Sequence, residues 1–362
     1  MNRNAIWRST FVAVAAVGWM VPSVAGAAVS DPPSSVVSHI GDNRIVESSG
    51  LAYSVKHPDL AYTMNDSGNR PMVYAIQVST GKVVGQTDLA SLKLQDTESI
   101  AVDRQGRLWL GDLGDNNRDR DDVSIVSFEE PGPGNAAPRG LQRYPVKYST
   151  GPSNVEAMMV YPTSGQIFLV SKKNEDGGKP NLFVLPQALK PGQPNVATNL
   201  NRPMPAGVAD ATFTPDGRHA LLKTATGVVA YDVKTWQPTD SFVTPGLDKG
   251  ESLTLEPGGR SILLGSEGND SPIVRVTLPA DLAPVVATTS PTPSSDGSSA
   301  LPPIGPVAPN VTPAEPANVT VPTLVAIGGV GVIIAISAAV RAARRRRRIA
   351  HRHRRMAEHA DR

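Results

Sequence analysis

The chain has 362 residues, no cysteine, and a formal charge of +2 from 35 basic and 33 acidic side chains. The missing thiol excludes disulfides, cysteine–zinc sites, thiol catalysis and lipoprotein attachment. The near-neutral total hides a split: the tail from Arg341 is strongly basic, and the part between Arg8 and Arg341 is net −8, which argues against nucleic acid as a ligand.

In chain order, residues 1–27 read as a secretory signal peptide. Arg3 and Arg8 precede an apolar run from Phe11 to Val21, and Ala25-Gly-Ala27 is a small-residue cleavage site. Residues 28–282 read as one extracytoplasmic domain of short apolar runs separated by turn signals, with no amphipathic helix. A first candidate strand covers Val36–Ile45. Four runs follow at Gly50–Val55, Ala61–Met64, Val73–Val78 and Lys82–Thr87, and four more at Ser99–Asp103, Arg107–Gly111, Val123–Phe128 and Arg143–Tyr148. The third group is Ala157–Tyr161, Gln166–Ser171, Asn181–Leu185 and a weak Val196–Leu200. The fourth is Ala211–Thr214, His219–Thr224, Gly227–Val233 and Thr239–Val243. The last group has only Ser252–Leu255, Ser261–Gly265 and Ile273–Leu278. Pro215-Asp-Gly217 and Glu256-Pro-Gly-Gly259 supply tight-turn chemistry between paired runs.

Four-stranded units repeated about every fifty residues predict an all-β fold, a β-propeller. Five blades fit the count, the early strand completing the last blade and sealing the ring; six would need a repeat hidden between Gln187 and Gly207. After the domain, residues 283–320 form a Pro/Ser/Thr-rich stalk that builds no core and is expected to stay disordered and extended. Residues 321–340 carry no charge and are long enough for a transmembrane helix. The Arg-rich residues 341–362 then predict a cytoplasmic tail resting on anionic lipid headgroups. The expected location is a single-pass plasma-membrane protein with its N-terminal domain outside the cell.

An acidic residue opens each repeat: Glu47, Glu98, Glu156, Asp210 and Glu251, at gaps of 51, 58, 54 and 41. The first strand of a blade lines the central channel, and its start lies beside the end of the antiparallel second strand. The five acids should therefore ring one mouth, joined by Asp66, Asp112 and Asp115 from the loops after the second strands. Two carboxylates 4 Å apart repel by roughly 4 kcal/mol at an effective dielectric of 20. Such a cluster wants a cation, protons or basic partners, and hard oxygens at irregular spacing suit calcium. The alternative is structural, each acid accepting backbone amides of the next blade. The Asp115–Asp121 stretch alternates acid and amide groups but fails the EF-hand pattern at Arg120 and Val126. Lys172, Lys173 and Lys223 belong to the same face and fit either a bound phosphate or carboxylate substrate or ion pairs with the acids. No serine or histidine nucleophile pattern is present, so no catalytic residue is assigned.

The segments Glu47-Ser-Ser-Gly-Leu-Ala, Asn65-Asp-Ser-Gly, Asp96-Thr-Glu-Ser-Ile-Ala and Gly111-Asp-Leu-Gly-Asp-Asn116 resemble an exported bacterial β-propeller family related to phytase-like esterase and lactonase-type propellers. The resemblance covers Glu47 to Glu130 and is only architectural beyond. It implies divalent-metal binding at Glu47, Asp66, Glu98, Asp112 and Asp115; a full set of catalytic basic residues has no match. Two functions follow as expectations. One is a surface propeller that binds an extracellular ligand or protein, ordered by calcium, and the other is a metal-dependent hydrolase of phosphoesters or lactones.

Overall fold

Apolar runs punctuated by Gly, Asp and Pro turns give twenty-one strands over the residues described by the computed structural model, 31–172 and 180–284. Strand β1 (Ser34–Ile40) comes first. β2 (Ser48–Tyr53), β3 (Leu60–Asn65), β4 (Met72–Gln77) and β5 (Lys82–Asp88) form blade 1. Blade 2 contains β6 (Thr97–Val102), β7 (Arg107–Asp112) and β8 (Ser124–Glu129). The chain then makes the short β9 (Gly134–Ala136) and returns as β10 (Gln142–Tyr148), the outer strand of blade 2. Blade 3 is β11 (Val155–Val160), β12 (Ile167–Ser171), β13 (Leu182–Val184) and β14 (Asn195–Asn199). Blade 4 is β15 (Asp210–Phe213), β16 (His219–Lys223), β17 (Gly227–Asp232) and β18 (Gln237–Val243). Blade 5 is β19 (Ser252–Leu255), β20 (Ser261–Gly265) and β21 (Ser271–Thr277), completed by β1 pairing antiparallel to β21.

The innermost strands close a ring: β2 packs on β6, β6 on β11, β11 on β15, β15 on β19, and β19 on β2. The fold is an all-β, five-bladed propeller sealed by the first and last strands, as the strand count predicted; the weak stretch at 187–207 holds β14 and no sixth blade. Apolar side chains fill the gaps between blades. Tyr62, Met64, Leu108, Leu110 and Phe128 join blades 1 and 2, and Phe168, Phe213 and Trp236 meet edge to face or tilted between blades 3 and 4. Fully burying one such side chain contributes roughly 1.5–3 kcal/mol. At the seal, Gly81 has φ of +70°, and a Cβ there would lie 1.8 Å from the carbonyl oxygen of His39. The turn of blade 1 docks on the closing strand only because that position carries no side chain.

Two features escaped the pattern of apolar runs. β9 leaves blade 2 and adds to blade 1 parallel to β5, and β10 pairs parallel with β14, so blades 2 and 3 share an edge. The three residues Gly134-Asn-Ala136 have no alternation to announce a strand. At the end of the domain, Leu278 and Leu282 are buried before the chain reaches Pro284. The predicted signal peptide, the remaining stalk, the span at 321–340, the basic tail and Lys173 lie outside the described residues. Among the described residues no helix is long and apolar enough to cross a membrane.

Candidate functional site

Antiparallel pairing puts the start of each inner strand beside the end of its neighbour: Ser48 with Asn65, Thr97 with Asp112, Val155 with Ser171, Asp210 with Lys223 and Ser252 with Gly265. The five repeat acids therefore share one face. In the first three blades the ladder slips at this point, between Ser48 and Leu51, Thr97 and Ser99, and Val155 and Ala157. Glu98 and Glu156 are themselves the unpaired residues of bulges, which re-aim a side chain off the strand's regular alternation. Blades 4 and 5 enter the ladder without a slip.

Asp66, from the loop after β3, meets Asp96 and Glu98, and one carboxylate oxygen of each lies within 4.8 Å of the others. Glu98 is 5% exposed, and its Oε2 accepts a hydrogen bond from the Ser49 hydroxyl at 3.2 Å. Among the described residues, Asp96 Oδ1 is buried without a hydrogen-bond partner. The backbone closes over the group at Gly114, where a Cβ would stand 2.5 Å from Asp96 Cγ and Oδ2 and 2.7 Å from Glu98 Oε1. Burial, followed by the charge and hydrogen bond of Asp66, pushes Asp96 up to about 8. Burial and the neighbouring Glu156, Asp66 and Asp96 charges hold Glu98 well above the usual carboxylate range. Hard oxygens, an unpartnered buried oxygen and a cradle that only glycine leaves open fit a divalent cation.

The other predicted ligands have different surroundings. Asp112 is wholly buried; its Oδ1 accepts the Gln95 and Asp96 amides at 3.0 and 2.9 Å. Its Oδ2 lies 3.1 Å from Arg120 Nη2, a contact of charges without hydrogen-bond alignment. Asp112 thus fixes the backbone that carries Asp96. Asp115 accepts the amides of Asp119 and Arg120 at 3.0 and 3.1 Å, an internal cap of its own loop. Arg120 also donates to the Gly114 carbonyl at 2.6 Å. Glu47 accepts from Asn69 Nδ2 at 2.7 Å, and its carbonyl takes the Asp66 amide. Of the five predicted ligands, Asp66 and Glu98 fall in the three-carboxylate group found among the described residues.

The rest of the mouth is a web of charge. Glu156 pairs with Lys172 at 2.8 Å and accepts from Asn154 at 2.9 Å. Burial works against the charge of Lys172, but Glu156, Glu98 and Glu251 outweigh it and raise its pKa. Burial and Glu267 raise Glu251 to about 8, while Lys249 holds Glu267 at 2.6 Å. Asp210, 1% exposed, accepts the Ala211 and Leu253 amides at 2.8 Å each; burial raises its pKa well above the ordinary value. Lys223 donates to the carbonyls of Thr224 and Gly250 at 2.5 and 3.4 Å, and burial lowers its pKa against the pull of Asp210 and Glu251. Lys172 and Lys223 are therefore engaged with protein groups. Asp96 and Gly114 were missed as site residues. The signal for Asp96 was its place two residues before Glu98 in the phrase Asp96-Thr-Glu98.

No protein-family model matches the chain, and no curated protein matches it. Among solved structures, it is similar to the β-propeller domain of Cps50 (Swd1) from Myceliophteria thermophila, at 14% identity and a TM-score of 0.35. That match covers 65% of this chain and 65% of the other, so this chain spans just under two thirds of that relative. It is also similar to XC5397, a gluconolactonase from Xanthomonas campestris, at 13% identity and a TM-score of 0.41, covering 69% of this chain and 91% of the other. These likenesses are too distant to argue for an activity or to tie the chain to phytase-like propellers; the propeller fold rests on the sheet topology above.

Proposed function

We propose that this chain is a membrane-anchored, cell-surface β-propeller whose acidic mouth binds a divalent cation, calcium above all, and through it an extracellular ligand or protein partner. One observation carries the reading: three carboxylates from two blades converge within 4.8 Å, and among the described residues one buried oxygen of the group lacks a hydrogen-bond partner. Asp66, Asp96 and Glu98 would hold the ion, and Asp112 and Gly114 would set their positions. Hard oxygen donors of loose geometry favour calcium over magnesium, which demands a near-ideal octahedron. The apolar span and the basic tail in the sequence support the anchor.

Calorimetric titration of the full-length chain tests this. A saturable calcium site is expected with a dissociation constant of about 10⁻⁴ to 10⁻³ M, as in extracellular modules. Asp96→Asn and Glu98→Gln should each weaken it by roughly tenfold or more, equivalent to about 1.4 kcal/mol. Absence of calcium heat in the unmodified chain would sink the reading.

The second reading, a metal-dependent hydrolase of phosphoesters or lactones, draws on Glu251. A carboxyl held at about 8 beside Lys172 and Glu267 is matched to taking a proton from water near neutral pH. A bound divalent ion supplies Lewis acidity at such a site. Turnover of a phosphoester and lactone panel that is lost with chelator and with Glu251→Gln would favour hydrolysis over binding alone.

A further inference from the structure

The end of the channel opposite the acidic mouth is a well of about 360 Å³ walled by all five inner strands. Tyr53, Val102, Val160, Thr212 and Leu255 line it and stay partly accessible. Its lining contains few charges. Asp103 is buried and spends its carboxylate on the Trp109 indole and on the amides of Gln105 and Arg107. Glu256 is clamped by Arg275 at 2.5 and 2.7 Å. The remaining charge at the rim is Arg104. Its Nη2 reaches across from blade 2 to the Pro215 carbonyl of blade 4 at 3.0 Å, and among the described residues it has no carboxylate partner.

We propose that this well is a second binding site, for a small molecule with an apolar body and one anionic head. The walls supply the apolar contact, with the hydroxyl residues Thr212 and Thr254 among them and Thr254 Oγ1 accepting the Tyr53 amide; the volume is within the size range of small-molecule pockets. A dry apolar cavity of about 150 Å³ holds benzene, so this well takes a body roughly twice that size. A guanidinium bonded, among the described residues, to a neutral carbonyl retains donors for a carboxylate, and a charge-assisted pair is about twice as strong as a neutral hydrogen bond. Arg104 therefore selects a carboxylate over an alcohol or an amine of the same shape. The site lies at the far end of the channel from Asp96 and Glu98 and does not depend on cation binding there.

The test uses the full-length chain and three probes of one shape: 2-naphthoate, 2-naphthalenemethanol and 2-naphthylmethylammonium. Calorimetry should give one saturable naphthoate site, tighter than either other probe by about tenfold. Arg104→Gln should reduce naphthoate binding to the level of the alcohol. Thr212→Trp, which fills the well, should abolish binding of all three, with Val160→Phe as a second filling variant if the first does not fold. Asp96→Asn should bind naphthoate as the unmodified chain does, which separates this site from the acidic mouth. Absence of saturable naphthoate binding, naphthoate binding that survives a folded filling variant, or equal affinity for acid and alcohol would each overturn the proposal.

Discussion

Blades 1 to 3 and blades 4 to 5 start from the same acidic phrase and use it differently. In the first group the inner strand slips register at the phrase, and Glu98 and Glu156 leave the regular alternation. In blade 4 the ladder is regular from its first pair, and Asp210 takes two backbone amides, one of them from blade 5. The same group also differs at the perimeter, where β9 and the β10–β14 pair tie blades 1, 2 and 3 together. One carboxylate at one repeat phase is thus an interblade bolt at Asp210 and part of a converging cluster at Glu98. What separates them is a single extra residue in the strand.

Four measurements would break or sharpen that contrast. The largest effect is expected from Asp210→Ala, which orphans two buried amides and removes one of the two acids, with Glu251, that face Lys223. It should cost about 3–5 kcal/mol in denaturant unfolding and leave calcium affinity unchanged; a calcium defect in a folded variant would end the division of roles. Next comes pH. Asp96 and Glu251 titrate near 8 in the folded chain against ordinary values of 3.8 and 4.5, so the fold binds their protons more tightly than the unfolded chain does. Their contribution is full below about pH 4 and is lost as pH rises through about 8. Without calcium, the melting temperature should fall by several degrees, roughly 2–4 °C per kcal/mol, between pH 5 and 9. Saturating calcium should remove the part due to Asp96, and a melting temperature independent of pH would refute the assignment.

Smaller still is Gly114→Ala. The new methyl meets Asp96 and Glu98 at 2.5 and 2.7 Å, so about 1–3 kcal/mol of overpacking cost is expected, with calcium affinity down by about tenfold. Asp115→Ala should be the mildest. Loss of its loop cap should cost about 1 kcal/mol and raise amide exchange at Asp119 and Arg120, with calcium affinity near that of the unmodified chain. A tenfold loss there would return Asp115 to the ligand set.

Much of this architecture is legible in the sequence because it rests on short-range chemistry. Turn residues such as Pro215-Asp-Gly217 and short apolar runs mark most strands, and the lone early run announces the closure by β1. The common face of the five acids follows from antiparallel pairing alone. Register slips do not show: Glu98 and Asp210 occupy equivalent places in their repeats, and only the paired strand reveals which one is displaced. For the same reason Asp112 looks like a ligand in sequence, although its Oδ1 takes the Gln95 and Asp96 amides and its Oδ2 faces Arg120. Gly114 gives no sign of its role until Asp96 and Glu98 are folded against it.

The closing blade has a mechanical consequence. β21 is the last strand before Pro284, and it is hydrogen-bonded on both sides, to β20 and to β1. A pull applied where the chain leaves the domain first meets Leu278 and Leu282, buried between blades, and then runs along β21. Load in that direction shears two ladders at once instead of peeling one pair at a time. The propeller is therefore gripped at its outgoing end by the same strand pairing that closes its ring, and tension there must break both ladders before the ring opens.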